Sequence, residues 1–171
     1  TIESKRMNNN QNEISPRRQQ QWQSLTLAQY VELRNGVPLG VSGSLRSMLQ
    51  HSFGAASFAG FWQYWNPIWG YGLGKYVYSP MHRVLPAAIA LILTFMVSGG
   101  IHDLVIIALR RSLTFLFTPW FFVLGVGVVL GRAAGMDLSS RKLWVRVGIN
   151  FAYLVIGLAI AILAKRVLVI P

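Results

Sequence analysis

The sequence predicts an all-α integral membrane protein with about three transmembrane helices plus one or two amphipathic interfacial helices. Three observations carry that expectation. Of the 171 residues, 53% are hydrophobic and only 12% are charged, about half the charged share of a soluble domain, and the mean hydropathy is +0.44. Three apolar stretches reach the roughly 20 residues needed to cross a hydrocarbon core. Lys and Arg number 16 against 5 Asp and Glu, for a net charge of +11, and the bases sit between the apolar runs, as the positive-inside rule places them. Nucleic-acid readers instead carry basic stripes on a polar surface. The chain has no cysteine, so disulfides, thiolate metal sites and cysteine nucleophiles are excluded.

Residues 1–24 are rich in Asn and Gln (Asn8, Asn9, Asn10, Asn12, Gln19, Gln20, Gln21) and have no apolar core. They are expected to form a flexible polar tail, with Met7 a candidate start, ahead of a membrane domain over 25–171. From Ser24 a short helix is predicted, with Leu27, Tyr30, Val31 and Arg34 on one face and Asn35-Gly36 ending it. A Gly/Pro loop follows (Gly36, Pro38, Gly40, Gly43). Ser44 is then the expected cap of an amphipathic helix in which Leu45, Met48, Leu49 and Ala56 recur at helical spacing. That helix reads as lying in the membrane interface, with a deeper insertion open for its Phe53–Trp62 end. The three spans run from Val84 to about Leu109, from Ser112 to Gly131, and from Val147 to Ala164.

Topology comes from the distribution of bases. If residues 1–83 and the loop 132–146 share one side, it holds Lys5, Arg6, Arg17, Arg18, Arg34, Arg46, Lys75, Arg83, Arg132, Arg141, Lys142 and Arg146. The other side holds Arg110, Arg111, Lys165 and Arg166. This asymmetry predicts a cytoplasmic N-terminus. A crossing by residues 44–66 would invalidate the assumption.

Two segments stand out chemically. Between Phe61 and Tyr78 lie Phe61, Trp62, Tyr64, Trp65, Trp69, Tyr71, Tyr76 and Tyr78, with Asn66 between Trp65 and Pro67 where the chain must turn. An interfacial aromatic belt explains the rings but not the asparagine. The second segment is Ser98-Gly99-Gly100-Ile101-His102-Asp103, an imidazole and a carboxyl after a long apolar run. An ionisable group at membrane depth normally faces a cavity or a partner, so His102 is either structural or functional. Asp103 is rotated about 100° from it on a helix and is expected to pair with a base or mark the helix end. Gly99 and Gly100 leave room for a substrate chain or another helix. Gly127 and Gly131 suit helix packing, His51 and His82 are expected to be solvated, and no metal constellation is present in the sequence.

Together the two segments resemble the membrane-bound O-acyltransferase family. The resemblance rests on Phe61, Trp62, Trp65 and Asn66, then Tyr78-Ser79-Pro80, then Ser98-Gly99-Gly100-Ile101-His102-Asp103, over residues 57–110. The acid after the histidine is most similar to the wax-ester, sterol and diacylglycerol acyltransferase branches. Gly60, Gln63 and Tyr64 depart from the family pattern, Asp103 stands for the more frequent Glu, and family enzymes are several times longer.

The resemblance implies a transferase of lipid metabolism that moves an acyl group from a thioester such as acyl-CoA to a hydroxyl. His102 would be the general base and Asn66 a hydrogen-bond donor, with Trp62, Trp65, Ser98 and Gly99 at the substrate. No bound cofactor or metal is expected. Expected partners are membrane lipids, the acyl donor, and a second copy or another membrane subunit, because three spans cannot readily enclose two lipid-like substrates; nucleic acid is not among them. The competing class is a non-catalytic, acyltransferase-like subunit of a larger complex. A proton-relay component of a transporter is a third reading.

Overall fold

The computed structural model describes residues 24–38, 40–111 and 115–168. Among these, every regular element is helical. The expected tail falls, but for Ser24, outside the described residues.

Helix α1 (Leu27–Asn35) starts where Thr26 forms a capping box with Gln29: the Gln29 N–H donates to Thr26 Oγ1 at 3.3 Å, and Thr26 N–H to Gln29 Oε1 at 2.9 Å. That reciprocal cap moves the start from the expected Ser24. Gly36 at φ 71° closes the helix by donating to the Glu32 carbonyl, a conformation that costs glycine little. The buried Val31 and the half-buried Leu27, Tyr30 and Arg34 form the face anticipated from the sequence.

Helix α2 (Ser44–Phe53) is capped by Gly43, not by Ser44. Ser44 Oγ is the acceptor for Asn35 Nδ2 at 2.6 Å, so the expected cap ties α1 to α2 instead. The helix stops at Phe53, leaving Ala56 in the following turn. Of the apolar face expected at the membrane interface, only part points away from the bundle. Ser52 is buried and Met48 half-buried, whereas Leu45 and Leu49 point outward.

Helix α3 (Phe58–Tyr64) opens on Ser57, whose Oγ accepts from Gly60 N–H. The turn between α2 and α3 is docked by three polar groups. Asn150 Nδ2 donates to the Phe53 and Ala55 carbonyls at 3.0 Å each, Arg146 Nη1 to the Gly54 carbonyl, and Leu138 N–H to the Ala56 carbonyl at 2.7 Å. Residues 53–56 therefore sit at the same end of the molecule as the 134–142 loop. Helix α4 (Pro67–Leu73), a π-helical turn (Gly74–Tyr78) and α5 (Ser79–His82) continue with little break, since Leu73, Gly74, Tyr78 and Ser79 all stay near φ −62°. Pro80 lacks the N–H that would bond the Tyr76 carbonyl, and the wider turn precedes it.

Three long helices complete the bundle: α6 (Ala87–Arg110), α7 (Phe117–Ala133) and α8 (Leu143–Leu168). Helices α6 and α8 are long and apolar enough to cross a membrane. Helix α7, at 17 residues, rises about 26 Å, a little short of a roughly 30 Å hydrocarbon core. Most of the apolar surface of α6 and α8 faces outward; only 28% and 17% of their apolar windows are buried.

The core forms where α3 meets α7. Phe58, Phe61, Leu124 and Val128 are buried there, with Trp62, Trp65, Phe95, Phe121 and Tyr153 packed around them. The Phe58 and Tyr153 rings stack at 4.4 Å, and Tyr153 lies against the bare backbone of Gly127. Added Cβ atoms at Gly99, Gly125 and Gly157 would come within 2.6, 3.1 and 2.8 Å of neighbouring helices. The small residues Gly99, Gly125, Gly127 and Gly157 are thus spent on helix approaches within this chain.

Candidate functional site

His102 sits about two-thirds of the way along α6, half-buried. Its Nδ1 is 2.7 Å from the Ser98 carbonyl oxygen. A carbonyl only accepts, so Nδ1 carries the hydrogen, and in the neutral ring the lone pair lies on Nε2. Both rings that flank the imidazole belong to α7: Phe117 stacks at 5.5 Å and Phe121 at 5.3 Å. Trp69, from α4, closes a third side edge-on at 5.9 Å. The histidine is thus oriented by its own helix and clamped by two others.

Trp69 also joins the two segments singled out in the sequence. Its Nε1–H donates to Ser98 Oγ at 2.9 Å, while its backbone N–H donates to Asn66 Oδ1 at 3.3 Å. Asn66 is the N-cap of α4, in the left-handed region at φ 42° and ψ 70°; asparagine tolerates that region better than most residues. The side chain thereby satisfies one of the helix's unpaired N–H groups. Asn66 is exposed, and its own N–H points at Met48 Sδ at 3.3 Å. The cap occupies Oδ1, not the amide nitrogen that the sequence reading assigned as donor.

The other candidate substrate residues separate into different environments. Ser98 is buried beneath the histidine, with both its oxygens engaged as acceptors. Gly99 has no space for a ligand, because the Phe117 carbonyl and the Thr118 Cα lie where a side chain would begin. Of the two uses the sequence left open, helix approach is the one present. Trp62 packs edge-on against Phe95 at 4.9 Å and Trp65 stacks on Phe61 at 5.4 Å. Both are half-buried members of the aromatic core, not free indoles around the histidine.

Asp103 departs most from expectation. It is 1% exposed and meets backbone donors instead of a base. Its Oδ1 accepts from Leu116 N–H at 3.0 Å and Phe117 N–H at 2.9 Å. Its Oδ2 accepts from Thr118 N–H at 2.8 Å and Thr118 Oγ1–H at 2.7 Å. The carboxylate caps α7 from across the bundle, satisfying N–H groups the helix cannot pair internally and complementing its positive end.

His51 is exposed, with Nδ1 on the Ser47 carbonyl. His82, expected to be solvated, is half-buried instead, stacked on Tyr78 at 5.3 Å. Lys75 donates to Tyr71 Oη at 2.9 Å, and that bond raises the pKa of its ammonium above the ordinary lysine value. Among the described residues no group of three His, Cys, Asp or Glu side chains could hold a metal ion.

Trp69, Phe117, Phe121 and the cap role of Asp103 were missed from sequence. One usable signal was Pro119, three residues into a new helix, which marks a start in need of an acceptor. No matching family, curated protein or solved structure is found for this chain.

The arrangement makes a prediction about Asn66. Asn66→Asp keeps the cap oxygen and removes the amide N–H₂. If only capping matters, the variant should match the parent in abundance and melting temperature and in any transfer activity. If the N–H₂ is a donor to substrate, stability is kept while turnover falls about 10²–10³-fold, the scale of one lost oriented donor. Purified yield, Tm and turnover together separate the two.

Proposed function

We propose that this chain is a membrane-embedded O-acyltransferase, transferring an acyl group from a thioester donor to a hydroxyl-bearing lipid. The observation that carries the reading is His102: its tautomer is fixed by the Ser98 carbonyl, its ring is clamped by Phe117, Phe121 and Trp69, and its Nε2 is left as acceptor. This is the configuration a general base needs before it meets a hydroxyl.

In the proposed step, Nε2 takes the proton of the acceptor hydroxyl as its oxygen attacks the thioester carbonyl. The tetrahedral oxyanion collapses with loss of the C–S bond, and the leaving thiolate recovers the proton from the imidazolium. The Ser-Gly-Gly-Ile-His-Asp and Phe-Trp…Trp-Asn resemblance supports this chemistry over other uses of a buried base.

We also infer a multi-pass topology in which α6, α7 and α8 all cross the bilayer and the N-terminus is cytoplasmic. Outward-facing Phe151, Val155, Ile156, Ile160 and Leu163 on α8 and Leu104, Val105 and Leu109 on α6 form apolar surface of a size that a soluble monomer rarely exposes. The docking of residues 53–56 against the 138–150 region supports placing residues 1–83 and the loop 132–146 on one side. Outward Leu45 and Leu49 fit α2 to an interfacial position.

Because the chain has no cysteine, single cysteines report topology cleanly. Ser42→Cys and Ser139→Cys should react with an impermeant maleimide from the cytoplasmic side, and Phe115→Cys from the opposite side. Reaction of all three from one side would overturn the three-span arrangement.

The non-catalytic subunit remains the second reading, favoured by the use of Asn66 Oδ1 as a cap. A partner subunit or a second copy would cover the open side of the bundle in either case. Incubating the full chain in nanodiscs with labelled acyl-CoA and a panel of long-chain alcohols, sterols and diacylglycerol decides between them. Formation of an acyl ester supports the enzyme, and no transfer to any acceptor with several donors supports the subunit.

A further inference from the structure

We propose that Asp103 is a positioning residue for His102: by capping α7 from α6, it holds Phe117 and Phe121 against the imidazole. The proposal rests on the acyltransferase reading for its effect on turnover, but its geometric content stands on its own observations. Asp103 and His102 are adjacent in sequence yet point to different partners. His102 bonds back along α6 to the Ser98 carbonyl, and Asp103 bonds across to the first turn of α7.

One of the N–H groups Asp103 binds is that of Phe117 itself, whose ring stacks on His102. Phe121 lies one turn further along the same helix, on the same face, and supplies the second stacked ring. Gly99, one turn before Asp103 on α6, admits the Phe117 and Thr118 backbone to within 2.6–2.8 Å of where a Cβ would be. The close approach and the four-bond cap fix the height and rotation of α7 relative to the histidine.

The carboxylate, not just a polar group, fits this task. Four hydrogens converge on two oxygens, and only an ionised carboxylate accepts at both without offering a hydrogen of its own. Asp103→Asn would keep the pair on one oxygen and set an N–H₂ against the Thr118 N–H. The start of α7 should then shift and loosen the two rings from His102.

Two readouts on the full chain in nanodiscs test this. The first is carbethoxylation of His102 by diethylpyrocarbonate, followed on its own peptide by mass spectrometry so that His51 and His82 do not interfere. Asp103→Asn is expected to speed it several-fold, because the flanking rings no longer cover the imidazole. The second is acyl transfer, in which kcat should fall about tenfold or more, the scale of a misplaced catalytic group, while KM for the acyl donor stays within about twofold. Thr118→Val, which removes only the hydroxyl bond, should move both readouts the same way by a smaller factor, and it serves if Asp103→Asn does not fold.

A folded Asp103→Asn protein, or Thr118→Val in its place, whose His102 reacts at the parent rate overturns the proposal. So does a kcat equal to the parent's in an active enzyme. Full transfer by His102→Ala would instead overturn the acyltransferase role of His102, and leaves the carbethoxylation result to decide the positioning claim.

Discussion

Replacing His102 by alanine is expected to lower acyl transfer by about 10²–10⁴-fold, the contribution typical of a positioned general base, while the protein still accumulates in the membrane and keeps its helicity. The imidazole makes one local hydrogen bond, to a carbonyl on its own helix, and its other neighbours are aromatic rings. Removing it leaves the Ser98 carbonyl within the α6 backbone ladder and loses the stacking on Phe117 and Phe121, but the Asp103 cap and the close approach at Gly99 still join α6 to α7. The Ser98–Trp69 bond also survives. Turnover of labelled donor by purified protein, measured beside melting temperature, checks the result. Undiminished turnover in the alanine variant would end the base assignment.

Gly99→Ala should be the most damaging single methyl in the bundle. Its new Cβ would lie 2.6 Å from the Phe117 carbonyl oxygen and 2.8 Å from the Thr118 Cα, both backbone atoms. A flexible side chain could swing away from such a clash, but a helix backbone moves only as a unit. Helices α6 and α7 must therefore separate, and the separation stretches the hydrogen bonds from Asp103 one turn away.

Overpacking of this kind costs about 1–3 kcal/mol and occasionally more. Gly148→Ala is the matched control. It too replaces a helical glycine, but nothing lies within 4 Å of its added Cβ, so it should be neutral or stabilising by up to about 1 kcal/mol through helix propensity. Thermal unfolding in one detergent compares them directly. Equal melting temperatures would show that the α6–α7 approach is looser than these distances indicate. Gly99→Ala should also alter transfer, since the ring of Phe117 moves with its backbone.

How much was legible in the sequence differs by kind of feature. The existence and order of α1, α2, α6, α7 and α8 came from local signals, while the short helices between Phe58 and His82 were not anticipated. Apolar runs marked α6, α7 and α8, Gly36 closed α1, and the Asn66-Pro67 pair marked the turn into α4. Boundaries shifted by a few residues where a capping group outside the pattern won: Thr26 with Gln29 in place of Ser24, and Gly43 in place of Ser44. Helix α8 ran longer at both ends than its apolar stretch, to Leu143 and Leu168, since Arg146, Lys165 and Arg166 interrupt hydropathy but not a helical backbone.

The face of a short amphipathic helix was harder to read. The apolar stripe Leu45, Met48 and Leu49 marked a helix at the membrane interface; Leu45 and Leu49 do point outward, but which residues turn inward, Ser44, Ser47 and Ser52, was not legible. Asn35 supplies partners there, donating from Nδ2 to Ser44 Oγ and accepting at its carbonyl from Ser47 Oγ–H, and outward leucines carry no penalty against an apolar surrounding.

By itself, then, the sequence determined that the described residues fold into helices, marked three apolar stretches of which two form helices long and apolar enough to cross a membrane, and placed a histidine within one of them. Those features depend on composition and on periodicities that span only a few residues. The tertiary structure alone decided what each polar group in the apolar region does. It made Asp103 the cap of a helix that begins fourteen residues later, and Asn150 the anchor of a turn almost a hundred residues earlier. It also made Trp69 the link between Asn66 and Ser98. The reason is physical. A polar group away from water must be paired, but which donor or acceptor reaches it depends on how whole helices cross, and no local pattern in the sequence encodes that distance.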